Sequence, residues 1–296
     1  RNKRINNGAL IFDKSEIKFK LDEKNQPVKI LFKTAKSANK LIEEFMLLAN
    51  KKVAEKMKQS NERFVYRVHD QPDHEKLENL QTIVKRLGYN LKLSSSELNG
   101  SLNDLLKKAF GKNEQNLIDT LMIRSMSKAE YTTKNIGHYG LSFENYTHFT
   151  SPIRRYPDVL VHRLIQAEIK KEKIKTEEIE TLCKHSTHME ILATKAERDS
   201  IKLMQIKYML DKEGKVFDAV ISGVIARGVF VEVVENKCEG MVKAKDLPGD
   251  YFVHDQKNHS FVGEKTGKKY QLGDKTRVML VKADKVKKRL DFQVLT

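Results

Sequence analysis

The pattern of apolar residues changes at Gly214 from helical spacing to short, strand-like runs. This change constrains the fold of the chain more than any other feature of its sequence. Upstream of it, the stretch from Thr176 to Asp211 contains no Gly or Pro, and its apolar residues recur at helical spacing. This pattern predicts one long helix of about 50 Å. Downstream, short apolar runs alternate with glycine-containing turns, which predicts strands over 216–225, 229–234, 238–243, 277–282 and 290–294.

The strand-rich part predicts a small barrel. Five strands in about 80 residues are typical of a Greek-key barrel of the OB type. The 249–270 segment is rich in Gly and Lys and is predicted to be a loop. Residues 1–33 are predicted to be extended and to form a hairpin, and helices are predicted over 37–57, 73–87, 102–110 and 113–131. The fold class is therefore predicted to be α+β, with helices packed on a mixed sheet over 1–213 and an all-β OB barrel over 214–296.

The charge balance indicates a polyanionic partner. Among 296 residues, 56 are basic and 40 are acidic, which gives a net charge of +16 and a pI near 9.5. RNA, DNA or an anionic membrane surface would fit this excess, and a lysine surplus that serves only solubility is the alternative. A membrane surface is disfavoured because the lysines follow no amphipathic helix face, and no apolar run is long enough to span a membrane.

Two widely spaced cysteines favour a reducing compartment, and we expect a cytoplasmic protein. The first residue is Arg and no apolar segment follows it, so no signal peptide is predicted. This start also leads us to expect a piece of a longer protein.

The strongest chemical signal lies in residues 138–163, around Ser151-Pro152-Ile153-Arg154-Arg155-Tyr156-Pro157. The two prolines fix φ and bias the residues before them away from helix, which predicts a short, stiff turn. Paired guanidinium groups on such a turn suit bidentate contacts to phosphate. The alternative is two ordinary surface arginines. Nearby aromatic residues would either stack on bases or pack in the core.

Other candidate sites are weaker. Cys183, His185 and His188 share the long helix, but they lack the fourth ligand of a structural zinc site, and packing or a solvated surface is favoured. Glu197, taken alone, looks like part of a solvated helix face. We find no glycine-rich phosphate loop, no G-x-S-x-G motif and no dense cluster of aspartates, so we assign no metal ligands within this sequence.

The predicted barrel is a second candidate for nucleic-acid binding, because aromatic rings stack on bases while lysines follow the backbone. The candidate rings are Phe230, Tyr251 and Phe252, with the barrel interior as the alternative for Phe230. The candidate rim cations are Lys243, Lys245, Lys257, Lys265, Lys268 and Lys269.

Three motifs together resemble the RNase II/RNase R family of exoribonucleases, and they are most similar to the RNase R type. They are the 138–163 stretch with its Thr150–Tyr156 centre, Leu41-Ile42-Glu43-Glu44-Phe45-Met46-Leu47-Leu48-Ala49-Asn50, and Ala196-Glu197-Arg198-Asp199. The segment from Val216 is similar to the RNA-binding OB module that follows the catalytic domain in this family. The resemblance covers essentially the whole chain.

The resemblance implies processive, magnesium-dependent hydrolysis of RNA from its 3′ end to nucleoside 5′-monophosphates. It implies that Arg154 holds the scissile phosphate and that Glu197 holds the terminal nucleotide. Single-stranded or structured RNA is the implied partner, and we expect a monomer. The RNA-contacting candidates are Ser151, Arg155, His138, Tyr139, Phe230, Lys243, Tyr251 and Phe252.

Several parts of the family pattern lie upstream of the matched region. They are the magnesium-binding aspartates, a tyrosine that clamps the last base, and the cold-shock modules. We therefore expect the chain to be the carboxy-terminal part of the catalytic domain plus the barrel, and to be inactive alone. Arg227 stands where an aromatic residue is frequent and Lys243 where His is common, so charge should carry more of the barrel's binding. The alternative function is a non-catalytic RNA-binding or adaptor protein built on the same fold.

Overall fold

The computed structural model describes residues 1–11, 15–60, 63–94, 97–112, 114–172, 177–256, 258 and 260–295. Its helices are α1 (Asn2–Asn6), α2 (Ser37–Lys58), α3 (His74–Arg86), α4 (Leu98–Ala109), α5 (Gln115–Ser125), α6 (Tyr156–Lys170) and α7 (Ile179–Met209). Its strands are β1 (Glu16–Leu21), β2 (Pro27–Lys33), β3 (Tyr66–Val68), β4 (Glu130–Thr132), β5 (Val216–Ile225), β6 (Gly228–Val233), β7 (Glu239–Lys243), β8 (Phe252–Asp255), β9 (Ser260–Gly263), β10 (Lys269–Gln271), β11 (Lys275–Asp284) and β12 (Arg289–Val294).

The described residues form two compact units. The first comprises Arg1–Lys14, Thr34–Lys108 and Thr120–Lys195, and the second comprises Ser15–Lys33, Ala109–Asp119 and Ala196–Thr296. The mixed helix-and-sheet class with an OB-type barrel is confirmed. The boundary between residues 213 and 214 stays a prediction.

In the first unit, β3 and β4 pair antiparallel, with Arg67 opposite Tyr131. Side chains from α2, α6, the start of α7 and both strands share one core, which includes Ala54, Met57, Phe64, Val65, Tyr66, Tyr131, Leu160, Val161, Leu164 and Cys183. The α6 helix has Pro157 in its first turn, where a missing backbone N–H costs no helical bond. This core fixes the segment that precedes α6.

In the second unit, five strands close a barrel in the order β11-β12-β7-β6-β5. All neighbours are antiparallel except β12 and β7. The predicted hairpin also belongs to this unit, as β1 and β2, and Ile30 lies in the same core as the barrel residues.

Three local predictions are wrong. The 249–270 segment is not a loop, because Phe252, Phe261 and Tyr270 are buried on the antiparallel sheet of β8, β9 and β10. The helix predicted to reach residue 131 ends at Ser125, and Tyr131 pairs with β3 instead. Residues 1–33 are not extended throughout, since α1 occupies their start.

Other predicted element boundaries differ only slightly from those in the structure. The helix predicted over 102–110 begins at Leu98, so Ser101 lies inside α4 and does not cap it. Thr176 and Lys257, named above as a helix start and a rim cation, lie outside the described residues. Among the described residues, no helix combines the length and apolar character that crossing a membrane would require.

Candidate functional site

A closed turn precedes α6. The carbonyl oxygen of Ser151 accepts from the backbone N–H groups of Arg154 (3.3 Å) and Arg155 (3.1 Å). The N–H of Ser151 donates to Oδ1 of Asp158 (2.7 Å), which also accepts from Nη2 of Arg155 (2.8 Å). Asp158 is fully buried. The predicted stiff turn therefore exists, and an internal carboxylate fixes it together with the prolines.

The two arginines differ in their surroundings. Arg155 is partly buried and forms an ion pair with Asp158. Arg154 is exposed, and its Nη2 lies 3.4 Å from the hydroxyl of Ser151. No acidic partner of Arg154 is found in the part of the chain that the structure describes. Arg154 is thus available to an anion in solution, whereas the charge of Arg155 is already balanced.

A cleft of about 800 Å³ opens beside this turn. Its lining comprises Tyr131, Arg154, Arg155, Tyr156, Pro157, Leu182, His185, Ser186, Met189, Glu190 and Ala193. One wall is therefore the basic turn and the other is the amino-terminal half of α7. The cleft brings the two predicted arginines together with residues that local sequence patterns did not single out.

The side of the cleft formed by Tyr131 and Glu190 is braced by Arg67. The guanidinium of Arg67 donates to both carboxylate oxygens of Glu190 (2.7 and 3.0 Å) and lies 4.6 Å from the ring centre of Tyr131. This fork-to-fork geometry is the strong form of an ion pair. It links β3 to α7 and keeps Glu190 at the cleft.

Histidine and tyrosine rings line up next to this pair. The His138 ring lies 5.0 Å from His69 and 5.3 Å from Tyr146, and Tyr146 lies 5.6 Å from His148. Burial lowers the pKa of His138 to about 3 and that of His148 to about 2. Both imidazoles are therefore neutral near pH 7.

The hydrogen bonds of these rings are directed inward. Nδ1 of His148 and the Tyr131 hydroxyl oxygen are hydrogen-bonded at 2.8 Å, and burial raises the pKa of that hydroxyl to about 12. Nδ1 of His138 accepts from the N–H of Leu141 (3.3 Å), and the Tyr139 hydroxyl donates to Asn99. Nδ1 of His138 and the hydroxyl of Tyr139 thus form hydrogen bonds within the protein, and the contact of both residues with RNA stays a prediction.

Glu197 lies on α7, is exposed, and belongs to the second unit. Its proximity to Arg154 in a common site stays a prediction. Cys183 is fully buried in the core, and burial raises the pKa of its thiol to about 12. His185 is exposed and lines the cleft. In the described ranges, no three or more His, Cys, Asp or Glu side chains are grouped so that they could hold a metal ion.

The barrel's aromatic candidates separate into different environments. Tyr251 is 71% exposed, and Phe230 is half-buried on β6. Phe252 is a core residue, 7% exposed, with its ring 5.1 Å from that of Tyr270. We therefore remove Phe252 from the candidate base-stacking residues, because its ring faces the interior.

The position of Tyr251 is set by its neighbour. Oδ1 of Asp250 accepts from the Tyr251 N–H (2.7 Å), and Oδ2 accepts from Lys265 N–H (3.0 Å) and from the Thr266 N–H and hydroxyl (both 2.7 Å). The Thr266 bonds are the main reason that the pKa of Asp250 falls to about 2. This carboxylate organises the loop that presents an exposed tyrosine.

Lys243 ends β7, opposite Gly228 on β6. Gly228 has φ of 150°, and a Cβ there would collide with the Val242 carbonyl oxygen, so only glycine fits this close crossing. Lys243 is half-buried, while Lys245, Lys265, Lys268 and Lys269 are exposed. Four of the five described rim candidates are therefore exposed cations.

Asp158, Arg67 and Glu190 were missed from sequence. Asp158 had a usable signal, because an acid three residues after Arg155 at a helix start pairs readily with it. Arg67 and Glu190 are 123 residues apart, and no local pattern joins them.

Comparison with known proteins identifies the family. Residues 1–172 match the RNB domain, and residues 210–295 match the S1 RNA binding domain. Ribonuclease R of Aquifex aeolicus is 37% identical over 297 residues, covering 99% of this chain and 42% of that protein. The chain thus spans about two fifths of this relative.

Solved structures of RNase R and of a related protein also match this chain. The apo form of Mycoplasma genitalium RNase R superimposes with a TM-score of 0.93 and 27% identity, covering 99% of this chain and 47% of that one. The same enzyme with ribose methylated single-stranded RNA gives the same values. Yeast Ssd1, described as a pseudonuclease, matches 74% of this chain and 28% of its own with a TM-score of 0.62 and 25% identity. The chain therefore belongs to the RNase II/RNase R family, with an RNB domain followed by an S1 RNA binding domain.

Proposed function

We propose that this chain is part of an RNase R-type enzyme that hydrolyses RNA processively in the 3′-to-5′ direction, releasing nucleoside 5′-monophosphates. The observation that carries the proposal is Arg154, an exposed cation without an acidic partner among the described residues, on a fixed turn at a cleft within an RNB domain. Single-stranded and structured RNA are the proposed substrates. The net charge of +16 and the S1 domain support this choice.

In this proposal Arg154 contacts the scissile phosphate and stabilises the negative charge that develops on its oxygens. A guanidinium that is fixed before the reaction needs no reorganisation as that charge forms. Glu197 holds the terminal nucleotide. Ser151, Phe230, Lys243 and Tyr251 contact the RNA, whereas Arg155, whose charge Asp158 already balances, supports the turn and does not contact the RNA.

Magnesium is proposed for the complete enzyme. No group that could bind it is found among the described residues, and we propose, as the family resemblance implies, that its ligands lie outside this chain. A bound divalent ion would activate the attacking water and stabilise the leaving oxygen. We therefore propose that the chain of 296 residues is a fragment and has no nuclease activity alone.

A hydrolysis assay tests the proposal. The purified chain is incubated with a labelled single-stranded RNA and magnesium, with a complete RNase R as the positive control. We expect the chain to bind the RNA and to release no mononucleotides. Release of nucleoside 5′-monophosphates would overturn the fragment proposal, and absence of RNA binding would overturn the proposed substrate.

Salt dependence tests the electrostatic part. Each phosphate contact on a single strand contributes about −0.7 to the slope of log affinity against log salt. Several contacts should therefore give a slope of about −2 or steeper. A flat dependence would contradict a binding surface built from lysine and arginine.

The alternative is a non-catalytic RNA-binding or adaptor protein, and the match to the pseudonuclease Ssd1 is the observation that favours it. The sequence preceding residue 1 in the parent gene separates the two functions. A cluster of aspartates there supports the enzyme, whereas its absence supports the adaptor.

We further propose a boundary between a catalytic part at 1–213 and a barrel at 214–296, a monomer, and a cytoplasmic location. The two unpaired, buried cysteines are compatible with a reducing compartment.

A further inference from the structure

Asp158 occupies an unusual place for a charged residue. It lies in the first turn of α6 and is 0% exposed. Its Oδ1 accepts two hydrogen bonds, from the backbone of Ser151 (2.7 Å) and from Nη2 of Arg155 (2.8 Å). A buried carboxylate costs several kcal/mol unless it is paired and hydrogen-bonded. These two contacts offset that cost and place the charge directly beneath the turn.

Both backbone polar groups of Ser151 form hydrogen bonds that hold the turn. Ser151 donates its N–H to Asp158, and its carbonyl oxygen accepts from the N–H groups of Arg154 and Arg155. Ile153, at the tip, is 100% exposed. The tip therefore has no packing of its own, and the direction of Arg154 depends on the bonds at the base.

The base of the turn is not optimised for stability. Oδ2 of Asp158, Nε of Arg155 and Oγ1 of Thr150 are buried, and in the described structure they have no hydrogen-bond partner. Buried unpaired polar groups are rare and each one costs free energy. A polar arrangement that is only partly satisfied points to a role in geometry.

We propose that Asp158 is a positioning residue that acts through Arg155 and the backbone of Ser151 to hold Arg154 at the cleft. Arg155 is the inner member of the pair, and Arg154 is the cation that contacts a phosphodiester. This inference rests on the proposed function, because it takes RNA phosphate as the anion that Arg154 binds.

The test is a double-mutant cycle on RNA affinity. The full chain carries Asp158→Asn, Arg154→Ala or both, and binding of a labelled single-stranded oligoadenylate is measured at low salt. Asp158→Asn raises the net charge by one, so general electrostatics alone would tighten binding. Asp73→Asn, an exposed cap of α3, makes the same charge change elsewhere and is the matched control.

We expect Asp158→Asn and Arg154→Ala each to weaken binding about five- to tenfold, as loss of one charge-assisted contact does. The double variant should bind no more weakly than Arg154→Ala, because coupled residues are not additive. Asp73→Asn should bind as tightly as the unmodified chain or slightly more tightly.

Three results would overturn the inference: Asp158→Asn binding as tightly as Asp73→Asn, additive losses in the double variant, or weakening by Asp158→Asn while Arg154→Ala has no effect. An Arg154→Ala variant without effect would also remove the proposed role of Arg154. If Arg154→Ala weakens RNA binding as expected but Asp158→Asn binds RNA as tightly as Asp73→Asn, only the positioning role of Asp158 is refuted.

Circular dichroism and thermal unfolding establish that each variant is folded. If Asp158→Asn does not fold, Arg155→Met takes its place in the same cycle, with Lys85→Met on α3 as its charge-matched control. A loss larger than in Lys85→Met and non-additive with Arg154→Ala supports the inference. A direct contact of Arg155 with RNA would give additive losses and contradict it.

Discussion

The turn before α6 and the barrel differ in how firmly the protein holds their basic side chains. At the turn, a fully buried carboxylate holds Arg155 and the backbone, and Arg154 projects from a fixed base. On the barrel, Tyr251 is 71% exposed and the lysines from Lys265 to Lys269 stand in solvent. The first arrangement suits chemistry at one phosphate, because position is fixed in advance. The second suits retention of a flexible strand, which tolerates many positions.

The largest expected effect is a difference in folding stability between variants of two adjacent aromatic residues of the second unit, Phe252 and Tyr251. Phe252→Ala should lower the free energy of unfolding by about 3–5 kcal/mol, because it empties a core position. Tyr251→Ala should change stability by less than about 0.5 kcal/mol and weaken RNA binding by about 1 kcal/mol or more. Urea unfolding and RNA titration of both variants measure this. Equal effects on stability would break the distinction between a core ring and a solvent-facing ring.

A smaller loss of folding stability is expected when the Arg67–Glu190 ion pair beside the cleft is removed. Arg67→Met removes two charge-assisted bonds to Glu190 and should lower the free energy of unfolding by about 1.5–3 kcal/mol. Lys85→Met on α3 is the matched control and should be nearly neutral. An Arg67→Met variant as stable as that control would show that the pair does not brace the cleft.

The smallest effect, counted for one imidazole and one pH unit, is a pH dependence of the stability of the first unit. Folding lowers the pKa of His138 and His148 below the value of about 6.5 for a free imidazole, so the unfolded chain takes up protons that the folded chain does not. Stability is therefore complete above about pH 6.5 and falls as the pH drops toward the folded pKa values. Each imidazole contributes up to about 1.4 kcal/mol per pH unit.

Urea midpoints measured between about pH 7.5 and pH 5 test this dependence. His148→Gln should give a shallower slope than the unmodified chain, whatever its absolute stability. An unchanged slope in this variant would show that His148 does not contribute. Asp250, whose pKa is lowered to about 2, loses its stabilising effect only as the pH falls below about 4, so it does not interfere.

The features predicted well from sequence are those that nearby residues determine. Pro152 and Pro157 made the turn predictable, and the spacing of apolar residues predicted the barrel strands. The long Gly- and Pro-free run likewise predicted most of α7. In each case, backbone restriction or periodicity acts within a few residues.

The failures have a tertiary cause. No Gly or Pro lies between Ser125 and Tyr131, so nothing local ended α5. The pairing of Tyr131 with Arg67 decided that the next residues form a strand. Phe252 was taken for a stacking residue because its burial depends on Phe261 and Tyr270, which lie on later strands. Partners distant in sequence overrode local preference in both cases.

In the function proposed above, Arg154 serves the chemical step and the barrel serves binding. Single-turnover hydrolysis of single-stranded RNA by the complete enzyme carrying Arg154→Ala or Lys243→Ala distinguishes these two roles. We expect Arg154→Ala to slow the chemical step about a hundred- to a thousandfold, with a much smaller loss of RNA affinity. Lys243→Ala should weaken affinity and leave the chemical step unchanged. Equal losses of rate and affinity in Arg154→Ala would contradict the account and reduce Arg154 to a tether.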